Sequence, residues 1–131
     1  MNEKRSAVER LRDVTQYIDD IRNFIGERDF AAFAKDPVLQ RAVLYSAIAI
    51  GEAIKQVGPE VRTAHPDVDW KGPAGLRDLL AHGYFIVDPK VVWETTRSDF
   101  PKLRKQVELI LKELGRSQSA AETNGPQPPR R

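Results

Sequence analysis

The sequence predicts an all-α antiparallel bundle of four to five helices with short loops, in which neighbours along the chain become neighbours in space. Three observations predict it. Apolar residues recur at alternating steps of three and four in several long windows, the spacing that gathers one stripe on a helix. Asp36-Pro37 and Asp88-Pro89 each read as an N-cap followed by proline at the first helical position, where a missing N–H does no harm. Period-two alternation is absent except for a strand-like Ile86-Val87 in a connection, and there is no internal repeat.

Taken in order, Val8, Leu11, Val14, Ile18, Ile21 and Ile25 form the first stripe, with Gly26 a plausible stop. After Asp36-Pro37 the second runs through Leu39, Ala42, Val43, Ser46, Ala49, Ile50, Ala53 and Val57 to Gly58-Pro59. It is apolar on more than one side and is expected to be central. A short turn over Glu60 to Ala64 ends at Pro66, and Asp69 is the candidate cap of a segment Trp70 to His82. Gly72, Pro73 and Gly75 lower its helicity, while Leu76, Leu79 and Leu80 restore an apolar face, so packing must hold it. Asp88-Pro89 opens a helix through about Arg97. Asp99 and Pro101 either open a last helix or kink a continuous one, with Phe100, Leu103, Val107, Ile110 and Leu114 as its stripe.

Composition bounds the rest. The 131 residues are one domain's worth, expected to occupy residues 1–114. Residues 115–131, rich in Ser, Ala, Gln, Asn, Gly and Pro without periodicity, are expected to be a disordered polar tail. No cysteine is present, which removes disulfides and thiolate metal sites, and no leader or bilayer-length apolar run is seen. A cytoplasmic protein without membrane association is the expectation. Of 21 cationic and 19 acidic residues, Arg116, Arg130, Arg131 and Glu122 lie beyond residue 114, which leaves 18 of each sign in the body. A neutral body does not grip nucleic acid by a broad basic face, because such binding draws on many phosphate contacts. Any RNA contact should be local.

Reactive side chains concentrate in Arg77-Asp78-Leu79-Leu80-Ala81-His82-Gly83-Tyr84. Arginine holds phosphate through a planar fork of donors, and histidine both takes and gives protons near neutral pH. Together they suggest phosphate-ester chemistry, most simply RNA cleavage. Asp78 and His82, four residues apart, share a helix face, so the carboxylate could orient the imidazole or stabilise its cation. Arg77 and His82 point about 140° apart on an ideal helix. Either the helix ends near His82, as Gly83 permits, or two chains combine their segments. The second option also supplies what cleavage through the 2′-hydroxyl requires, one group to remove a proton and another to protonate the departing oxygen. Spacing alone leaves open a plainer reading, a solvated helix face with a histidine favourably placed near a helix C-terminus.

The segment resembles the R-x-x-x-x-H-x-Y motif of the HEPN superfamily, specifically its HepT-like toxin ribonucleases. The likeness covers roughly residues 5 to 112 and includes Ile50-Gly51-Glu52-Ala53, Asp69-Trp70, the motif itself, and Val87-Asp88-Pro89 with Trp93. The resemblance implies a HEPN-like bundle acting as a homodimeric, metal-independent endoribonuclease without cofactor, the toxin of a toxin–antitoxin pair. Its substrate would be RNA, with transfer RNA a candidate, rather than DNA. Carried over by position, Arg77 and His82 would be the catalytic pair in a groove between protomers. Asp78 departs from the polar residue, often asparagine, usual after the arginine, and adds negative charge close to the phosphate. Tyr84 corresponds to the tyrosine to which a nucleotidyltransferase antitoxin attaches adenylate. The alternative class is a non-catalytic interaction module that binds such a partner or a nucleotide, with Asp78 marking lost activity.

Other residues carry weaker expectations. Glu52 interrupts an apolar helix and could pair with Arg77, support the groove or lie at the surface, and Gly51 would let another helix approach closely. His65 has no ligand-spaced partner and is read as a loop residue, with no metal site. Trp70 and Trp93 are expected in the core rather than stacked on bases. Lys102, Arg104 and Lys105 are expected on a solvated face.

Overall fold

Ser6 opens the first helix with a reciprocal cap: the Glu9 N–H donates to Ser6 Oγ (3.2 Å) and the Ser6 N–H to Glu9 Oε1 (3.1 Å), satisfying two otherwise orphan donors. In this computed structural model the backbone is described for residues 6–83 and 87–124, and side chains as far as residue 116. Helix α1 (Ala7–Ile25) buries Leu11, Val14, Ile18, Ile21 and Ile25. It stops at Gly26, whose φ of 58° suits a residue without Cβ, and the Arg28 guanidinium donates to the freed carbonyls of Phe24 and Ile25. A five-residue α2 (Phe30–Ala34), capped by Asp29, follows.

Asp36 caps α3 (Pro37–Lys55), accepting from the Leu39 N–H at 3.0 Å. As expected of a helix apolar on several sides, α3 is central, packing most extensively against α1 and α5. A turn through Gly58, at φ 98°, leads into α4 (Pro59–Ala64). His65 closes that turn: its carbonyl accepts from Trp70 Nε1 at 2.9 Å and its Nε2 lies 3.6 Å from Glu113 Oε1. Asp69 then accepts from the Gly72 N–H (2.9 Å) at the start of α5 (Lys71–Gly83). Leu80 is buried and Leu76 half-buried, but Leu79, expected on the same face, is 48% exposed. One residue turns a helix by about 100°, so Leu79 and Leu80 cannot share a narrow apolar stripe.

The last segment resolves the alternatives at Pro101. Helix α6 (Pro89–Glu94) passes into a π-turn over Thr95–Asp99 and then α7 (Phe100–Asn124), one continuous helical run. The Phe100 N–H reaches back to the Thr95 carbonyl, the wider closure that accommodates a proline whose ring would otherwise crowd the preceding turn. Helix α7 continues through Gly115 to Asn124, past the expected boundary at residue 114, since Gln118, Ala120, Ala121 and Glu122 are good helix formers. Among the described residues no strand occurs. Val87 of the strand-like pair lies in a bend, and Ile86 is outside the described residues.

The core joins α1, α3 and α7 around Leu11, Val14, Val43, Ile50, Ile54 and Val107, all essentially sealed from solvent. Both tryptophans are core residues, 8% exposed. Trp93 packs on Phe33 (5.3 Å between centroids) and Phe30 (6.1 Å), which anchors α2. Arg104, expected on a solvated face, instead clamps α7 to α1 through a fork on Asp19, Nε to Oδ1 at 2.7 Å and Nη2 to Oδ2 at 3.0 Å. Hydrogen bonding from Arg104 holds the Asp19 carboxyl below its usual value of 3.8.

That pair makes a pH prediction. A carboxylate whose pKa is lower folded than unfolded adds stability above its unfolded pKa and loses it as pH falls through the folded one. Asp19→Asn is therefore expected to cost about 1 kcal/mol at pH 7, after allowance for solvent screening. Urea unfolding should show the deficit vanishing towards pH 2; an undiminished deficit there would rule out the ion pair as its source.

Candidate active site

The close approach of α5 to α3 sets the position of Arg77. A Cβ built on Gly51 would collide with the Arg77 Cβ and the Pro73 carbonyl oxygen, so only glycine at 51 permits this contact. Glu52, the next residue of α3, consequently lies beside the guanidinium, with 3.1 Å between Arg77 Nε and Glu52 Oε1. The nitrogen is sealed from solvent and its N–H is not aligned on the oxygen, so the contact is ionic rather than a hydrogen bond. Gln56 Nε2 steadies the other Glu52 oxygen at 3.2 Å. Of the roles open to Glu52, the structure brings it to Arg77.

Asp78 does not use its carboxylate as the sequence reading expected. Its Oδ1 accepts from Lys55 Nζ at 2.9 Å and from Arg77 Nη1 at 3.0 Å, and the Lys55 contact followed by the Arg77 contact holds the carboxyl below the ordinary range. The backbone carbonyl of Asp78 is what meets the imidazole, 2.7 Å from His82 Nδ1. A helical residue at i+4 reaches that carbonyl with its own side chain, while the carboxylate is drawn to the cations of the α3–α5 seam. Because a carbonyl oxygen only accepts, a hydrogen bond here requires the hydrogen on Nδ1, which in a neutral ring makes Nε2 the basic nitrogen.

Helix α5 includes His82 and ends at Gly83, so arginine and histidine project from one helix with separate partners. Asp78, Leu79, Ala81 and His82 are exposed, and cavities of about 340, 630 and 330 Å³ elsewhere are lined by none of Arg77, Asp78 and His82. The four charged groups Glu52, Lys55, Arg77 and Asp78 form a neutral set on an open face. Tyr84 lies outside the described residues. Among the described residues no group of three or more His, Asp or Glu could hold a metal ion, and no helix is long and apolar enough to cross a membrane. Lys55 escaped the sequence reading because it is 23 residues from Asp78; its place in the final turn of an otherwise apolar helix, beside Glu52, was the only signal.

A family model described as "Ribonuclease HepT-like" matches residues 14–110. The chain belongs to the HepT-like ribonuclease family. A relative from Methanocaldococcus jannaschii, named "Putative RNase", is 38% identical over 111 residues, covering 85% of this chain and 96% of the relative. The "Probable ribonuclease HepT" of Thermococcus cleftensis is 37% identical over 109 residues, 83% of this chain and 99% of that one. A "Putative RNase" of Caldanaerobacter subterraneus subsp. tengcongensis is 49% identical over 82 residues, 63% of this chain and 73% of its own. No solved structure matches the chain. Membership in the HepT-like family agrees with the helical bundle and with the resemblance read from the motif.

Proposed function

We propose that this HepT-like chain is a metal-independent endoribonuclease, the toxin of a toxin–antitoxin pair, working as a homodimer on cytoplasmic RNA, with transfer RNA a candidate. The observation that carries the reading is the exposed His82 imidazole, its Nδ1 held 2.7 Å from the Asp78 carbonyl oxygen, on the helix that also bears Arg77. Names of relatives that read "RNase" and "ribonuclease" support the substrate class. His82 Nε2 takes the proton of a 2′-hydroxyl, whose oxygen attacks phosphorus. The bond from phosphorus to the 5′-oxygen breaks, and the leaving oxygen takes a proton from the imidazolium of a second copy. Arg77 binds the phosphate and stabilises the charge that grows there. Products are a 2′,3′-cyclic phosphate and a 5′-hydroxyl.

The open face supports the second copy. One chain offers one histidine in the motif, and exposed Leu79 adds apolar surface beside it, so a two-fold pairing would enclose the phosphate and supply both proton-transfer groups. Glu52 and Asp78 support Arg77 in this scheme. Tyr84, on the motif alone, is the acceptor at which a nucleotidyltransferase antitoxin attaches adenylate.

Purified protein incubated with total RNA in chelator is expected to yield fragments ending in 2′,3′-cyclic phosphate. The neutralisation of Arg77 by Asp78 favours a second reading, a non-catalytic module for the partner enzyme or a nucleotide. RNA left intact by the parent chain would select that reading and reject the nuclease.

A further inference from the structure

We propose that the Asp78 carboxylate is an internal stand-in for a substrate phosphate oxygen, and that Lys55 is a second phosphate-binding residue, unmasked when RNA displaces Asp78. The inference rests on reading Arg77 as the phosphate-binding group. Cations from two helices, Lys55 Nζ on α3 and Arg77 Nη1 on α5, converge at 2.9 and 3.0 Å on the single oxygen Asp78 Oδ1. A non-bridging phosphate oxygen presents the same charge and accepts the same donors.

The two ends of the guanidinium are held differently. Nε is sealed from solvent against Glu52, which Gln56 braces. Nη1 pairs with a carboxylate that is itself 51% exposed, and Lys55 is 40% exposed. One end is therefore planted and the other exchangeable, since exposed ion pairs are weakly held. Rotation of the Asp78 side chain releases both cations together and leaves its carbonyl, and so the contact with His82 Nδ1, in place. The resting site is neutral and turns cationic as the phosphate arrives. This gives a chain with no net charge in its body local affinity for one phosphate.

The test uses the full chain and a mixed-sequence 2′-O-methyl RNA oligonucleotide, uncleavable because the nucleophile is capped, with binding read by fluorescence anisotropy across salt concentrations. Lys55→Gln is expected to weaken binding about threefold and to flatten the slope of log K against log salt by about 0.7, one single-strand phosphate contact. Asp78→Asn is expected to tighten binding about fivefold, and Lys55→Gln should cost more in that background than in the parent. A merely structural ion pair would alter thermal stability and leave the salt slope alone. An unchanged slope in Lys55→Gln, weaker binding by Asp78→Asn, or no binding by either the parent or Asp78→Asn would each overturn the proposal. If these binding shifts appear and total RNA stays intact, the nuclease reading fails and the phosphate site stands.

Discussion

Replacing His82 by alanine is expected to lower the rate of RNA cleavage by about a thousandfold while leaving the fold intact. The imidazole is exposed and its partner among the described residues is the Asp78 carbonyl, so its removal opens no cavity and strands no buried group there. Substitutions of that kind stay within about 0.5 kcal/mol of neutral. The chemistry loses a positioned proton-transfer group, typically worth about 10²- to 10⁴-fold. In a two-fold site both copies lose it at once, base and acid together. Arg77→Ala should cost about 10²- to 10³-fold through lost charge stabilisation, and Arg77→Lys should recover little, because an ammonium cannot reproduce a planar fork. Initial rates on total RNA, with urea unfolding as the control, decide the matter. If His82→Ala cleaves within about threefold of the parent, the proton-transfer role is wrong.

The second large effect is on stability, at Gly51. Alanine in place of a helical glycine ordinarily gains about 1 kcal/mol from backbone entropy. At position 51 the added methyl meets the Arg77 Cβ and the Pro73 carbonyl oxygen, and neither can yield without shifting α5. Overpacking against such neighbours costs about 1–3 kcal/mol, so the net change should be destabilising, and Gly51→Val should be worse still. Activity should fall as well, because whatever moves α5 moves Arg77 away from Glu52. Gly75, also helical, has no described residue within 4 Å of where a Cβ would stand, and Gly75→Ala should stabilise by up to about 1 kcal/mol. Opposite signs for the two substitutions in urea unfolding test the close approach directly. A Gly51→Ala chain as stable as Gly75→Ala would mean that the helices do not meet there.

Most of the bundle was legible because its signals are local. The stripe from Leu11 to Ile25, the caps at Asp36, Asp69 and Asp88, and the stop at Gly26 all act within a few residues. Helix α2 was missed: five residues are too few to show a period, and the tertiary aromatic contact that holds it is invisible in sequence. The π-turn was half legible, since Pro101 demanded an irregularity without saying which. At the site, residue identities could be read from spacing but partners could not. Whether Asp78 turns to His82 or to Lys55 depends on where α3 lies, and that depends on a glycine 26 positions before Arg77 in the chain. The clamp between Arg104 and Asp19 spans 85 residues and was likewise out of reach.

The wider closure between Thr95 and Phe100 also sets a phase. An i→i+5 ring holds one residue more than a regular turn, and each residue contributes about 100° of rotation. Trp93 owes its direction, towards Phe33 and Phe30, to that extra residue. Segment 95–99 is thus fixed in length, because a single deletion would swing the indole a quarter-turn or more away and leave α2 without the ring that fastens it.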